Sequence, residues 1–413
     1  MNLRDFGRAG HIPTLFFAFL YFDISSMIWM LMGALANSIV PEYGLSAAQK
    51  GLMVATPLLG AAALRIVMGV MTDHIGARRS GLIGMALTML PLLMGWLWAD
   101  SFPKLLMVGL LLGIAGASFA AALPLAGRWY PPQYQGLALG IAAVGNSGTA
   151  LATFFAPRLA AAYGWHAVFG LAMVPLLTTL ALFALLAKDS PNQPVPKSLA
   201  DYAAVLKMGD TGWFCLFYAI TFGGFVGMAS FLSIFFHDQY GLNKVAAGTF
   251  ATGCVIAGSL IRPVGGYLAD RFGGIRVLTV LFLGIALFLG GVAALPPLTV
   301  CTALLALGMG CLGMGNGAVF QLVPQRFPKE IGVVTGIVGA AGGLGGFLLP
   351  ILLGNLKQTT HSFSGGFVAF AFGALACAVA MAYVGRSWER DFLGEGGVAS
   401  TVPGKLAMNL PGD

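Results

Sequence analysis

The stretch RIVMGVMTDHIGARR at residues 65–79 has a second copy in the same chain, RPVGGYLADRFGGIR at residues 262–276. At this offset of 197 residues, the identities that fall in register include Arg65 with Arg262, Gly69 with Gly266, Asp73 with Asp270 and Gly76 with Gly273. A second echo lies near an offset of 196, where Gly136 and Gly140 follow RWYPP and Gly332 and Gly336 follow RFPKE. Four identities in register exceed what chance supplies, so the sequence predicts two duplicated halves.

The composition places these halves in a membrane. Of 413 residues, 58% are hydrophobic and 9% are charged, whereas a soluble globular chain carries about 25% charged residues. The 59 glycines lie within apolar runs, as in membrane helices whose backbones approach one another closely. A soluble enzyme is therefore excluded.

The charge and the cysteines exclude further classes. The net charge of +7 comes from lysines and arginines scattered over short loops, which indicates membrane topology and not a nucleic-acid-binding face. The five cysteines lie in apolar stretches without metal-ligand spacing, so we expect packing roles, no metal and no disulfide framework.

A bilayer core of roughly 30 Å needs about 20 apolar residues per helix, and this criterion predicts twelve spans. They lie near 14–40, 51–72, 80–99, 104–127, 136–162, 165–187, 211–236, 245–268, 276–296, 299–323, 332–356 and 365–386. The longest polar interruption, rich in proline and charge, separates the sixth span from the seventh. We expect an all-α polytopic membrane protein in four parts: an N-terminal six-helix bundle (1–187), a linker (188–210), a C-terminal six-helix bundle (211–386) and a tail (387–413).

The loops give an orientation. Of the 22 lysines and arginines, fifteen lie in the N-terminus, the even-to-odd loops, the linker and the tail, while five lie in the other loops. The positive-inside rule then puts both termini in the cytoplasm. We expect a multi-pass protein of the bacterial inner membrane.

Three strongly ionisable side chains fall within predicted spans: Asp23, Arg65 and Arg262. An arginine at a helix centre costs about 2.5–3.5 kcal/mol on insertion scales. The repeat places the two arginines at matching positions in the two halves, where they should face each other. Two converging guanidiniums repel unless an anion bridges them, and a planar oxyanion fits two guanidinium forks. The alternative is that backbone carbonyls or Asp23 satisfy each arginine.

The segments GVMTDHIGARR and GGYLADRFGGIR resemble the loop signature of major-facilitator transporters, whose architecture is two parallel six-helix repeats related by a pseudo-two-fold axis. The resemblance implies a cytoplasmic gate in which the aspartates pair with arginines or cap helices. These contacts hold the halves together when the outside is open and break when it closes. The gating candidates are Asp73, Arg78, Arg79, Arg128, Asp270, Arg276 and Arg326. The alternative is a solvated turn within a positive-inside cluster.

Nearly the whole chain resembles the nitrate/nitrite porter family. Its two glycine-rich signatures look like GLALGIAAVGNSGTALATFFAP in the fifth span and GVVTGIVGAAGGLGGFLLP in the eleventh. The resemblance implies that Arg65 and Arg262 clamp nitrate, Asn146 and Tyr218 donate hydrogen bonds, and Phe119 and Phe222 sandwich the ion. Taken alone, either phenylalanine is more often ordinary packing. The resemblance also implies that signature glycines permit close helix packing and sliding: Gly140, Gly145, Gly148, Gly336, Gly339, Gly342, Gly343 and Gly345.

Asp23 puts a carboxylate where some family members have apolar residues. Uptake of an anion against a negative-inside potential needs a coupling ion, at about 2.3 kcal/mol per charge per 100 mV. Asp23 is thus a candidate proton site. An ion pair with Arg65, or a local hydrogen-bond acceptor, remains equally open.

These features favour a secondary transporter that imports nitrate, with nitrite as a further substrate, by proton-coupled alternating access. The alternatives are nitrate/nitrite antiport and a transporter-like nitrate sensor. No P-loop, HExxH or GxSxG motif occurs, so we expect no enzymatic activity and no cofactor. The expected partners are nitrate, nitrite, protons and lipid, with no nucleic acid, and the expected functional unit is a monomer.

Overall fold

The computed structural model describes residues 3–191, 199–327 and 331–394. Within these ranges, twelve helices are long and apolar enough to cross a membrane, which confirms the predicted fold class. They are α1 (Ile12–Tyr43), α2 (Ala47–Ile75), α3 (Ala77–Leu97), α4 (Phe102–Gly127), α5 (Ala138–Tyr163), α6 (Trp165–Leu186), α7 (Gly209–Tyr240), α8 (Lys244–Phe272), α9 (Gly274–Val292), α10 (Leu298–Arg326), α11 (Gly332–Thr360) and α12 (Ser364–Leu393). Two shorter helices accompany them, an N-terminal helix (Leu3–Ala9) and a linker helix (Leu199–Leu206).

The last helix is longer than the sequence predicts. A tail was expected from residue 387, but α12 continues through a π-helical turn, Glu389–Leu393. The reason is the burial of Trp388, whose ring stacks 4.6 Å from Phe214 and whose indole nitrogen donates to Asp210 Oδ1 at 2.9 Å. The first residues of the predicted tail therefore belong to the C-terminal bundle, and residues 395–413 lie outside the described ranges.

The duplication is visible in how helices cross within each half. In the N-terminal half, α2 and α4 meet where Gly60 and Gly113 face each other's backbones. In the C-terminal half, α8 and α10 meet where Gly313 faces the backbone of Gly258. Small residues allow such close approach of helices in membranes. Glycine crossings at equivalent positions thus give both bundles the same internal geometry.

The two halves pack against each other through α2 with α11, α5 with α8 and α1 with α7. The first two pairs are equivalent under the repeat. Four polar contacts between the halves lie on the side opposite the chain ends: Asn37 donates to the Ser233 carbonyl at 2.8 Å, Ser230 to the Val54 carbonyl at 2.8 Å, Arg158 to Thr249 at 2.8 Å, and Lys50 pairs with Asp238 at 2.6 Å. On that side the halves are closed against each other.

A substitution at a glycine crossing tests this packing. A side chain at Gly113 would meet the backbone of Gly60 and Ala61, whereas a Cβ at Gly253 would meet nothing within 4 Å. We expect Gly113→Val to lower the unfolding temperature of the detergent-purified protein, because overpacking costs about 1–3 kcal/mol. Gly253→Ala is the matched control and should leave that temperature within about a degree of wild type, since it removes only helix-interior glycine flexibility. Equal unfolding temperatures for the two variants would contradict the crossing.

Candidate functional site

Five spans are interrupted near their middle within the described ranges, and each interruption adjoins a residue of one central site. Breaks in regular helix are frequent where membrane transporters bind ligands, because they expose polar backbone and redirect side chains. The interruptions are Met30 after Trp29 in α1, Ala117–Ser118 before Phe119 in α4, the 3-10 turn Val144–Ser147 around Asn146 in α5, the π-helical turn Ala219–Gly223 after Tyr218 in α7, and Ile261 before Arg262 in α8.

Arg65 lies in the uninterrupted helix α2 and is 1% exposed. Its Nε donates to the Gly116 carbonyl of α4 at 3.1 Å, and its Nη1 donates to the Gly339 carbonyl of α11 at 2.7 Å. Its Nη2 is buried with no hydrogen-bond partner. Backbone carbonyls therefore satisfy this guanidinium only in part, and they hold it at the contact between the two halves.

Arg262 is buried in the other half, with 7% exposed. Its Nη2 lies 3.4 Å from the Tyr218 hydroxyl, and its buried Nη1 has no hydrogen-bond partner. Among the ion pairs of the described residues, none involves Arg65 or Arg262. Each half thus contributes one buried guanidinium with an unused N–H group and no carboxylate partner.

Aromatic rings enclose the two guanidiniums. The Arg65 guanidinium carbon lies 4.8 Å from the Phe222 ring centroid and 5.6 Å from that of Phe119, and the Arg262 carbon lies 5.9 Å from the same Phe119 ring. Contacts of this kind are attractive, at about 0.5–1 kcal/mol where exposed and more where desolvated. Phe119 therefore contacts both cations.

Two further aromatic residues belong to this enclosure, and the sequence analysis missed both. Trp29 lies 5.3 Å from the Arg65 guanidinium carbon, and Phe320 of α10 packs 5.0 Å from Tyr218 and 6.1 Å from Phe119. The repeat did not indicate Phe320, because at the offset of 197 residues Phe119 corresponds to Asn316. We call the five rings of Trp29, Phe119, Tyr218, Phe222 and Phe320 the aromatic cluster.

Asn146 is 2% exposed, and its Oδ1 has no hydrogen-bond partner. The turn around it is held against α1 because Gly145 and Gly148 face the α1 backbone at Phe19 and Asp23. Among the described residues, no hydrogen bond joins Asn146 to either arginine. The structure thus presents a buried amide with a free acceptor on a turn fixed to α1.

Three signature glycines of α11 lie too close to their neighbours for a Cβ, namely Gly342, Gly343 and Gly345, whereas Gly336 and Gly339 lie at ordinary contact distances of 3.7 and 3.8 Å. A Cβ at Gly342 would meet Tyr218 and Phe222, at Gly343 Ala62, at Gly345 the Ala219 backbone, at Gly339 the Arg65 side chain and at Gly336 the Tyr202 ring. A Cβ at Gly140 would meet nothing within 4 Å, so the expectation of close packing at Gly140 is wrong. A larger side chain would therefore fit at position 140.

Asp23 lies in α1 and is 7% exposed. Its Oδ1 accepts a hydrogen bond from the Ser147 hydroxyl at 2.8 Å. Among the described residues it forms no ion pair, so the alternative pairing with Arg65 is wrong. A buried carboxylate without a cation therefore contacts the turn that carries Asn146.

The sequence profile of the Major Facilitator Superfamily matches residues 17–350. The chain is 36% identical over 353 residues to the "Nitrite extrusion protein" of Bacillus subtilis (strain 168), covering 85% of this chain and 88% of that protein. It is 36% identical over 332 residues to the "Probable nitrate/nitrite transporter NarK2" of Mycobacterium tuberculosis (strain ATCC 25618 / H37Rv), covering 79% and 84%. The chain belongs to the nitrate/nitrite porter family of the major facilitator superfamily. The resemblance of its motifs to this family is thereby confirmed.

Other comparisons show how the family varies and how far its fold extends. The "Probable nitrate/nitrite antiporter NarK1" of Thermus thermophilus is 30% identical over 391 residues, covering 86% of this chain and 87% of that protein. The crystal structure of a D-xylose-proton symporter has a TM-score of 0.72 at 16% identity, covering 90% of this chain and 97% of that one. At this identity the likeness shows the fold alone.

The predicted gate of this family member is asymmetric. Asp73 pairs with Arg128 at 2.7 Å within the N-terminal half. Asp270 forms no equivalent pair with Arg326, because Arg326 pairs with Asp210 at 2.5 Å, where Trp388 also donates. The remaining gating candidates do not join the halves either: Arg78 contacts Asp189 and the Ala184 carbonyl, and Asp270, Arg79 and Arg276 are exposed.

This asymmetry predicts unequal effects of two equivalent substitutions. Asp73→Asn removes the charge partner of a pair whose side chains are only 12% and 15% exposed, so we expect it to cost about 1.5–3 kcal/mol of stability. Asp270→Asn alters an exposed carboxylate and should change the free energy of unfolding by no more than about 0.5 kcal/mol. Thermal unfolding of both variants in detergent checks this, and equal losses would favour the symmetric gate.

Proposed function

We propose that this protein imports nitrate, and nitrite as a second substrate, through the bacterial cytoplasmic membrane by alternating access, with both termini in the cytoplasm. It is proposed to act as a monomer, without enzymatic activity. The observation that carries the proposal is the pair of buried arginines, one per half, each with an unused N–H group and no carboxylate partner. A buried charge without a partner is costly, and a small anion between the two guanidiniums removes that cost.

The chemistry of the surroundings favours a planar monovalent oxyanion. The free Arg65 Nη2 and Arg262 Nη1 are donors suited to two different oxygens of one ion. Guanidinium forks match planar oxyanions with two parallel hydrogen bonds. The Phe119 and Phe222 rings supply flat apolar faces that keep water out. Relatives named for nitrate and nitrite support the choice of ion.

In the proposed cycle, nitrate reaches the arginines from outside and bridges the two halves. Its charge removes the repulsion between Arg65 and Arg262, so the two halves close on the outer side of the ion. The contact between Lys50 and Asp238 is part of that closed side. The ion then leaves toward the cytoplasm. The asparagine turn in α5 and the glycines of α11 are the segments proposed to shift during this exchange.

Lysine substitutions test the arginine clamp. Arg65→Lys and Arg262→Lys keep the charge but lose the planar fork. We expect each to weaken nitrate binding at least about tenfold, which corresponds to one charge-assisted hydrogen bond. Isothermal titration of the purified protein with sodium nitrate measures the Kd, and Arg271→Lys at the exposed end of α8 is the control. Wild-type affinity in either clamp variant would overturn the proposal.

We propose that a proton is co-transported at Asp23. Asp23 contacts Ser147, the neighbour of Asn146, and the preceding residue Phe22 packs 5.7 Å from Phe119. Ionisable groups within membrane spans commonly mark ion pathways and proton relays. Gain of a proton by Asp23 changes what the Ser147 hydroxyl can donate to, and so links protonation to the turn that carries Asn146.

Asp23→Asn tests the coupling. In proteoliposomes with an internal pH dye, wild-type nitrate uptake should carry protons, and Asp23→Asn should abolish nitrate-driven proton movement while nitrate/nitrite exchange persists. Asp100→Asn, a surface carboxylate paired with Lys104, is the control and should behave as wild type. Proton movement that persists in Asp23→Asn would refute this site, and exchange without proton movement in the wild type would favour antiport.

A further inference from the structure

Helix α10 carries a buried amide that neither the motifs nor the proposed clamp includes. Asn316 is 1% exposed, and its Oδ1 has no hydrogen-bond partner. A buried amide oxygen without a hydrogen bond costs about 1–3 kcal/mol, and a ligand that contacts the amide would offset that cost. Its neighbours show where it points.

Helical geometry fixes that direction. Gly315 faces the Thr221 side chain in the π-helical turn of α7, and Gly317 faces the Arg262 carbonyl in α8. Successive side chains on a helix diverge by about 100°, so Asn316 projects between these two directions, into the gap between α7 and α8. That gap contains the hydrogen bond between Tyr218 and Arg262.

The residue one turn later supports the same direction. Phe320 follows Asn316 by four positions and therefore shares its face of α10. The Phe320 ring packs against Tyr218 and Phe119 of the aromatic cluster. Asn316 is thus aimed at the central site from one turn away along α10.

Ser118 of α4 is a second buried polar residue in this region, because it directly precedes Phe119, whose ring packs against Phe320. Ser118 is 1% exposed, and its hydroxyl has no hydrogen-bond partner. A ligand in contact with both Ser118 and Asn316 would satisfy both polar groups.

We propose that Asn316 is an anion-binding residue that sets selectivity between nitrate and nitrite, an inference that rests on the proposed function. A side-chain amide presents either its oxygen or its two N–H donors after a half-turn of the terminal group, and the free Oδ1 loses no hydrogen bond in that rotation. Each half then contributes one guanidinium and one amide: Arg65 with Asn146, and Arg262 with Asn316. Nitrate has a third oxygen, which nitrite lacks, for the additional donor.

Binding measurements on the full-length protein test this role. Asn316→Leu keeps the branched shape of the side chain without the amide, and Asn316→Ala removes both the amide and the branched shape. We expect both variants to weaken nitrate binding about tenfold and nitrite binding about threefold or less, measured as Kd by isothermal titration with sodium nitrate and sodium nitrite. The control is Thr88→Val, which removes a buried hydroxyl that donates only within α3 to the Gly84 carbonyl.

The outcomes separate this inference from the function on which it rests. A selective loss of nitrate affinity with a wild-type unfolding temperature supports it. Unchanged affinity for both ions overturns it, as does an equal loss for both ions with a lowered unfolding temperature, which marks a structural role. Failure of the wild type to bind either ion would instead refute the proposed function.

Discussion

Two guanidinium groups buried between the two halves are the constraint on which the rest of the structure depends. Arg65 and Arg262 occupy equivalent positions in the repeat, yet their surroundings differ. Two backbone carbonyls, one from each half, hold Arg65, whereas Arg262 has only the hydroxyl of Tyr218. Within the described part of the chain neither arginine pairs with a carboxylate, and the remaining N–H groups leave a net positive charge among aromatic rings. This charge selects the class of ligand that the site can accept.

The helix interruptions explain how a bundle of apolar spans builds a polar centre. A continuous helix buries its backbone groups in its own hydrogen bonds, and in lipid it must do so. Interruptions are tolerated where they face protein or a ligand cavity. Here they occur beside Trp29, Phe119, Asn146, Tyr218 and Arg262. The first two residues and Tyr218 contact Arg65 or Arg262. The resulting site draws on both halves, as alternating access requires.

The sequence could predict a large part of this arrangement. The twelve spans, the duplication and the family are confirmed, since apolar length, in-register identities and motifs are local signals. The gate stays a prediction, because its contacts are expected to break when the outer side is closed, as it is here. The repeat alone does not reveal that Asp210 competes with Asp270 for Arg326. Trp29 and Phe320 were not predicted, because a ring that packs against a residue distant in the sequence gives no recognisable pattern within its own apolar segment. Asn316 was not predicted as a site residue, because a single amide in a glycine-rich span forms no sequence pattern.

A nitrate-bound structure of the protein tests the central claim most directly. Purified protein, with and without nitrate, would be imaged at a resolution that separates a small planar ion from water. The account predicts new density in the nitrate sample between Arg65 Nη2 and Arg262 Nη1, within hydrogen-bond distance of both and flanked by Phe119 and Phe222. Density at another place, or unchanged density between the two arginines at saturating nitrate, would contradict it.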